Sequence, residues 1–413
     1  MKILVLNAGS SSQKSSLFYI PNDDRAETVI TLLWSGSLDF SKQQGHASLK
    51  VKSNGLVLEE DLETDDRLIA AERLLNTLCE GDTAVLKTWQ EIDYVGHRVV
   101  HGGVNYQEPT WVTEDVKSTI AQLISLAPNH NPANLQGIEL IEKLLPDTWQ
   151  VAVFDTAFHS KMPPEAAIYP IPYNWYEQGI RRYGFHGISH QYCAEKTAQL
   201  LDQDLADLKI LTCHLGNGAS LAAIKDGYSI DTTMGFTPLE GLMMGTRCGS
   251  IDPGVVIYLQ REAGMSADEV DTLLNKESGL KGVSGISGDM RSVTREMANN
   301  DRAKIAFAAY IHYLCRQIGA MVASLQGLDA IVFTAGVGEN AAIVRQTACQ
   351  RLGYLGIHLD EEKNNNSPKN ADISTADSPV RIFVINTDED SAIAQTVYKL
   401  AQGELPTLNR YAM

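Results

Sequence analysis

Three short stretches place glycine beside small hydroxyl or amide residues at the end of an apolar run. They are "NAGSSS" from Asn7 with Lys14 just beyond, "GNGAS" from Gly216 to Ser220, and "GVGEN" from Gly336 to Asn340. Glycine lets a backbone approach a phosphate closely, and successive N–H groups in a turn make a concavity for anions. A strand that merely reverses direction needs only two turn residues, so the surplus donors after Leu6 predict an anionic ligand. An ordinary hairpin turn would explain any one stretch alone; all three ending apolar strands point together to phosphate. Two rival motifs fall away. "GSSSQKS" lacks the glycine that precedes the lysine of a P-loop and runs into a strand-like segment. "GVGENA" fits a dinucleotide fingerprint, but no second mononucleotide half follows it.

The elements that must carry these turns repeat. "KILVLNAGSSS" from Lys2 resembles "KILTCHLGNGAS" from Lys209 at an offset of 207 residues, pairing Ile3 with Ile210, Asn7 with His214 and Gly9 with Gly216. Each copy reads as strand, glycine turn, strand, so the chain is expected to be a duplicated α/β domain. In the first half, strands near 93–100 and 150–154 bracket two amphipathic helices. One starts near Thr113, with Val116, Ile120, Leu123 and Ile124 on one face; the other follows Asn131-Pro132. In the second half, a helical pattern over about 296–325 precedes the buried strand "AIVFTAG" and a helix from about Glu339. The polar run "EEKNNNSPKNADISTADSP" reads as an exposed loop. A last strand, "RIFVIN", leads into a helix capped near Thr387. The expected domains are 1–150, with the C-terminal helix 388–413 packing back on it, and 151–387.

Composition bounds the partners. With 413 residues, 44% of them hydrophobic, and 32 glycines against 14 prolines, the chain suits a soluble α/β protein with a core in each of two or three domains. A net charge of −17 argues against nucleic acid and anionic membranes, so an anionic substrate must be met by local arginines. No signal h-region and no stretch approaching a membrane span is expected, which makes the cytoplasm the default. Six scattered cysteines without a C-x-x-C pair suit reduced, buried thiols.

Beyond the turns, "VGHRVVHGG", "HNPANL", "VFDTAFH", "RRYGFHGISH", "MGFTPLEGLMMGTR", "GVSGISGDMR" and a closing "TDED" stand in this order along the chain. Together with "NAGSSSQK", "HLGNGAS" and "FTAGVGEN" they resemble the acetate kinase family, in the acetate and sugar kinase, Hsp70 and actin superfamily, over nearly the whole chain. The resemblance implies a ribonuclease H-like βββαβα unit, duplicated, with an inter-domain catalytic cleft. It implies a homodimer that moves the γ-phosphoryl of ATP in line to acetate, reversibly giving acetyl phosphate and ADP, with Mg²⁺ or, in its place, Mn²⁺. Propionate or another short-chain carboxylate is the alternative acceptor. A sugar kinase or a nucleotide-gated binding module shares the architecture; the first needs an aspartate base for an alcohol, which Asp155 could supply, and the second a partner-binding extension.

Phosphoryl transfer asks a protein for in-line positioning and neutralisation of charge. The resemblance accordingly places Arg98 on the substrate carboxylate and Arg247 on the transferring phosphoryl, where a lone arginine would otherwise read as a surface salt bridge. It gives His186 a hydrogen bond to a phosphoryl oxygen. His186 and His190, like His97 and His101, also have the i,i+4 spacing of metal ligands, but no H-E-x-x-H is present and glycines crowd both pairs. Asp155 is expected to orient the arginines or the water shell of the metal, because acetate is already ionised near neutral pH and needs no base. Asn7 and Glu389 are implied as the metal site, and the bland reading of Glu389 is a carboxylate favouring a helix N-terminus. The ATP contacts implied are Lys14; His214, Leu215, Gly216, Asn217 and Gly218; Asp289, Met290 and Arg291; and Gly336, Val337, Gly338, Glu339 and Asn340. Val100, Phe185 and Pro238 keep the apolar character expected around the acetate methyl. Asn129 stands where the family has leucine, so either its amide finds a partner or the pocket is altered.

Overall fold

A computed structural model of the chain describes residues 1–9, 12–22, 30–40, 43, 45–128, 130–366 and 369–405. The chain divides into two units, Met1–Ala157 with Asp388–Met413, and Phe158–Thr387. The first unit runs past residue 150 because Trp149–Phe154 is a strand of its sheet.

The first sheet contains β1 (Lys2–Ala8), β2 (Ser12–Tyr19), β3 (Thr31–Asp39), β4 (Ala47–Ser53), β5 (Leu56–Leu62), β6 (Tyr94–Val99), β7 (Thr110–Trp111) and β8 (Trp149–Phe154). Its strand order is β5-β4-β3-β2-β1-β6-β8-β7. β1 is antiparallel to β2 and parallel to β6, which is parallel to β8. Both faces of β1 are covered, hence its near-continuous apolar run. β4 instead alternates buried and solvated residues and turns into β5 through Asn54-Gly55, both at positive φ as a two-residue hairpin requires. The helix Glu389–Gln402 packs on β1 and β6. Gly96 permits this: a Cβ there would lie 2.7 Å from Ile393 and 2.8 Å from Val397. The N-cap of that helix is Asp388, one residue beyond the expected Thr387.

The second sheet contains β9 (Ile210–Leu215), β10 (Ala219–Lys225), β11 (Tyr228–Thr232), β12 (Ala330–Thr334), β13 (Ala371–Asp372) and β14 (Arg381–Val384), in the order β11-β10-β9-β12-β14-β13. β9 is antiparallel to β10 and parallel to β12, and β12 is parallel to β14. The order β3-β2-β1-β6-β8 is therefore repeated as β11-β10-β9-β12-β14, with β4 and β5 added outside the first copy. The 207-residue offset carries Ser12, the start of β2, onto Ala219, the start of β10. The fold is a duplicated, mixed α/β unit.

The helix expected over about 296–325 is Asp301–Leu325, which starts later because Asn300 caps it by accepting from the Ala303 N–H; a separate helix, Met290–Glu296, precedes it. Among the described residues, Asp301–Leu325 is the one helix long and apolar enough to cross a membrane, contrary to the expectation from sequence. Its buried residues, from Ala303 through Phe307, Tyr310 and Leu314 to Leu325, follow helical spacing, and it packs against β10 and β11 as a core helix does. The "exposed loop" after residue 360 is also partly ordered structure. It forms a helix, Glu361–Asn365, and β13, and it buries Asn364, whose side chain accepts from Arg345 Nε at 2.7 Å.

Candidate active site

In the first unit, the parallel strands β6 and β8 deliver two side chains from adjacent ends. Arg98 Nε donates to both carboxylate oxygens of Asp155, at 3.1 and 3.2 Å, and Nη2 donates to Oδ2 at 2.6 Å. Arg98 Nη1 donates to Asn7 Oδ1 at 3.0 Å. That bond fixes the Asn7 amide, so its Nδ2 points the other way and donates to Glu389 Oε2 at 3.3 Å and Asp390 Oδ1 at 3.2 Å. Asp390 also accepts from Ser16 Oγ at 2.7 Å. Among the described residues these bonds use one N–H on each nitrogen of Arg98, which leaves one on Nη1 and one on Nη2. Burial pushes the carboxyls of Asp155 and Asp390 above their ordinary range, the first against the pull of Arg98, and Glu389 adds to both shifts.

This cluster gathers three carboxylates around one guanidinium, and a divalent cation would neutralise the surplus. Among the described residues no three His, Cys, Asp or Glu side chains stand ready to enclose a metal. The arrangement suits an ion that takes one or two protein oxygens and completes its shell with water and phosphate. Glu389 and Asp390 offer those oxygens, whereas the Asn7 oxygen is held by Arg98. Lys14 lies opposite Asn7 in the β1–β2 register and is exposed.

In the second unit, Arg247 sits in a neutral cage. Its Nη1 donates to the Pro238 carbonyl at 3.2 Å. Burial lowers its pKa, with no carboxylate contributing. A Cβ placed on Gly218 would meet Arg247 Nη1 at 3.3 Å and the His186 ring at 3.5 Å, so the missing side chain of Gly218 keeps open the space between the two. His186, at φ 57°, precedes the helix Gly187–Leu201 and stacks on His214 with ring centres 4.2 Å apart. Its Nδ1 bonds Ser220 Oγ at 2.8 Å.

A pocket of about 380 Å³ opens in the same unit, lined by Gly216 and Asn217, Gly288 to Arg291, and Gly336, Val337, Asn340 and Ala341. Its size lies within the range of small-molecule sites. Most of the residues expected to bind nucleotide therefore meet here, but several do not. His214 and Leu215 are buried in β9, and Gly218 belongs to the Arg247 cage. Gly338 packs on the backbone of Phe333 and Cys213. Glu339 turns away to accept from the N–H groups of Ala335 and Thr387, at 3.0 and 3.1 Å, and from the Asn386 amide. "GVGEN" is a short helix, Ala335–Asn340, instead of a glycine turn.

The sequence model of the Acetokinase family matches residues 2–395. The chain belongs to the acetokinase family. It is 59% identical over 396 residues to the acetate kinase of Rippkaea orientalis, covering 96% of this chain and 98% of that one. The acetate kinase of Nostoc punctiforme is 56% identical over 402 residues, covering 97% and 99%. Among solved structures, Porphyromonas gingivalis acetate kinase matches with a TM-score of 0.86 at 41% identity, over 97% of this chain and 99% of that chain. A propionate kinase from Francisella tularensis matches with a TM-score of 0.87 at 39% identity, over 96% and 98%.

This acetokinase-family chain uses polar residues that motif reading passes over. Asn134 accepts from the Val100 N–H at 3.1 Å and donates to the Ala8 carbonyl at 3.0 Å, tying the end of β1 to the segment after Arg98. Asn131 does likewise for His101. Both asparagines lie in the quoted "HNPANL", so the signal was present without its geometry. Asp390 was visible as the third acid of "TDED". His97 and His101 are not a metal pair: His97 bonds Gln150 at 2.6 Å, His101 Nδ1 accepts from the Gly103 N–H at 3.0 Å, and burial pushes both down to about 4. Asn129 and the serines between Gly9 and Ser12 lie outside the described residues.

Proposed function

We propose that the chain transfers the γ-phosphoryl of ATP directly to acetate, reversibly giving acetyl phosphate and ADP, as a cytoplasmic homodimer. The observation that carries this reading is Arg247, a half-buried guanidinium with no described carboxylate contributing to its pKa, set with His186 around Gly218. Such a cation is ready for an anion and costs no broken ion pair to use. The adjoining residues Gly216 and Asn217 line the pocket proposed for the nucleotide.

Arg98 supplies the acetate side. Asp155 and Asn7 hold its guanidinium in one orientation, and the remaining N–H on each of Nη1 and Nη2 receives the acetate carboxylate. The attacking oxygen is already anionic, so Asp155 removes no proton and serves as a positioning residue. Arg247 and His186 bind the equatorial oxygens of the phosphoryl group, where charge must be neutralised as the bond to ADP breaks. Asp289 to Arg291 and Gly336 to Asn340 support the nucleotide, and Lys14 is proposed to reach its phosphates. Glu389 and Asp390 would hold Mg²⁺, which would supply neutralisation of phosphate charge when bound, while Asn7, its oxygen held by Arg98, positions both carboxylates through its amide N–H groups.

The homodimer is supported by the helix Pro253–Arg261, which buries none of its residues and exposes Val255, Ile257 and Tyr258. The likeness to a propionate kinase favours propionate as a second acceptor. The purified chain with ATP and Mg²⁺ should form ADP only when a short carboxylate is added, with kcat/KM highest for acetate in a series with propionate and butyrate. A higher value for propionate would install the second reading, and no carboxylate-dependent ADP would remove both.

A further inference from the structure

The groups proposed to bind the phosphoryl, His186 and Arg247, come from separate stretches of the second unit, and a third set of side chains fastens those stretches together. Arg182 Nη2 donates to Glu240 Oε1 at 2.7 Å. The Tyr169 hydroxyl donates to the other carboxylate oxygen, Oε2, at 2.5 Å and accepts from the Phe236 N–H at 2.8 Å. Arg182 Nη1 is shared among the carbonyls of Thr232, Thr233 and Met234, at 3.1, 3.1 and 3.2 Å. We propose that Arg182, Glu240 and Tyr169 form a clasp that fixes where Arg247 stands relative to His186. The proposal rests on the kinase reading above, and in it the three are positioning residues.

The route from the clasp to Arg247 is short. Pro238, whose carbonyl accepts from Arg247 Nη1 at 3.2 Å, lies midway in the chain between Phe236 and Glu240, both of which the clasp holds. A loop fastened on both sides of one residue cannot shift that residue without breaking a bond. The base of the loop is closed by Gly241, at φ 110°, where a Cβ would lie 2.8 Å from the Thr233 carbonyl. Thr233 is anchored to β10: its N–H donates to the Leu221 carbonyl at 3.0 Å, and its hydroxyl accepts from the Leu221 N–H at 2.9 Å. The route to His186 is as direct. Arg182 stands in the segment that leads into His186, and the Tyr183 N–H donates to the Gly235 carbonyl at 3.0 Å. Gly235 must lack a side chain, because a Cβ there would collide with the Glu240 carboxylate and the Tyr169 hydroxyl.

A guanidinium suits the centre of such a clasp, since its planar fork grips the carbonyls at the loop's base and the carboxylate at its crest in one fixed geometry. Burial, with the Glu240 carboxylate, pushes the Tyr169 phenol up, so it stays a donor at neutral pH. A misplacement of about 1 Å in a reacting group can cost on the order of 10²-fold in rate. Nucleotide binding draws instead on the residues lining the pocket of about 380 Å³, none of which belongs to the clasp. Loosening the clasp should therefore be felt in kcat and spare KM.

The test is steady-state kinetics of the full-length protein with ATP, Mg²⁺ and acetate, with active sites counted by calorimetric titration with ADP. Tyr169→Phe removes a single oxygen and should lower kcat per site by about tenfold or more, with KM for ATP and for acetate held within about twofold. Arg182→Lys keeps the charge but not the fork, so it should lose as much as Arg182→Ala. The amide of Glu240→Gln can still accept from Arg182 and donate to the Tyr169 oxygen, so it should restore most of what Glu240→Ala loses. A merely structural role would lower the urea midpoint and the number of active sites while leaving kcat per site unchanged, and that result overturns the proposal. A KM that rises in step with the loss in kcat overturns it too. Should Tyr169→Phe fail to fold, Arg182→Lys is read by the same criteria. A crystal structure of the ligand-free variant gives a readout without turnover: the Pro238 carbonyl should have left Arg247 Nη1, and a bond kept near 3.2 Å overturns the clasp. Absent carboxylate-dependent turnover in the wild type would fail the kinase reading, while that structure would still decide the clasp.

Discussion

Two arginines, one in each unit, are placed in opposite electrostatic surroundings. Arg98 is gripped by Asp155, with Glu389 3.8 Å away, in a cluster whose formal charge is negative. Arg247 has a proline carbonyl, a glycine and an imidazole around it, and burial alone shifts its pKa. The first guanidinium is stabilised before any ligand arrives and is stiff for that reason. The second is under-solvated and gains most when an anion binds. A residue that must orient a small substrate benefits from fixed partners, whereas one that must stabilise charge developing in a transition state benefits from having none to give up.

Arg247→Ala should separate the two most sharply. We expect kcat to fall by about 10³-fold or more, the scale of a lost phosphoryl-binding arginine, with little change in urea midpoint; equal losses in kcat and stability would erase the contrast. Asp155→Ala should do the reverse, costing about 3 kcal/mol in urea unfolding because a buried guanidinium loses its partner, together with a higher KM for acetate. A stability unchanged by that substitution would show that Arg98 is not held as described. The neutral histidines offer a third comparison, since His97 in the first unit and His159 in the second are both pushed down by burial to about 4. The unfolded chain then binds more protons than the folded one below its own histidine pKa of about 6.5. Stability should be full above that pH and fall as pH drops toward 4, by up to about 3 kcal/mol for each histidine. His97→Gln should flatten the part of that loss assigned to the first unit, read from urea midpoints across pH. Gly218→Ala is the mildest probe. Its Cβ would crowd Arg247 and His186, so kcat should drop about tenfold, with binding of ADP, measured by calorimetry, held within about twofold.

Much of the fold was legible because hydrophobic periodicity and internal repetition are local signals. The 207-residue offset reappears as two sheets with matching strand order, and Thr113 caps the helix Glu114–Gln122 as its hydroxyl predicts, accepting from the Val116 N–H. Other features escaped because they depend on distant partners. Asn364 lies in a run that reads as loop by composition, yet it is buried because Arg345 needs an acceptor there. Glu339 sits in a glycine-rich motif, yet it closes backbone N–H groups at Ala335 and Thr387.

By itself the sequence determined the family and the duplication, since these follow from residue type, order and spacing. Only the tertiary structure decided what each side chain is bonded to: the Asn7 amide turned by Arg98, and Asp390 accepting from both Asn7 and Ser16. Hydrogen-bond direction and desolvation arise where strands far apart in the chain are brought side by side, and no linear pattern encodes that proximity.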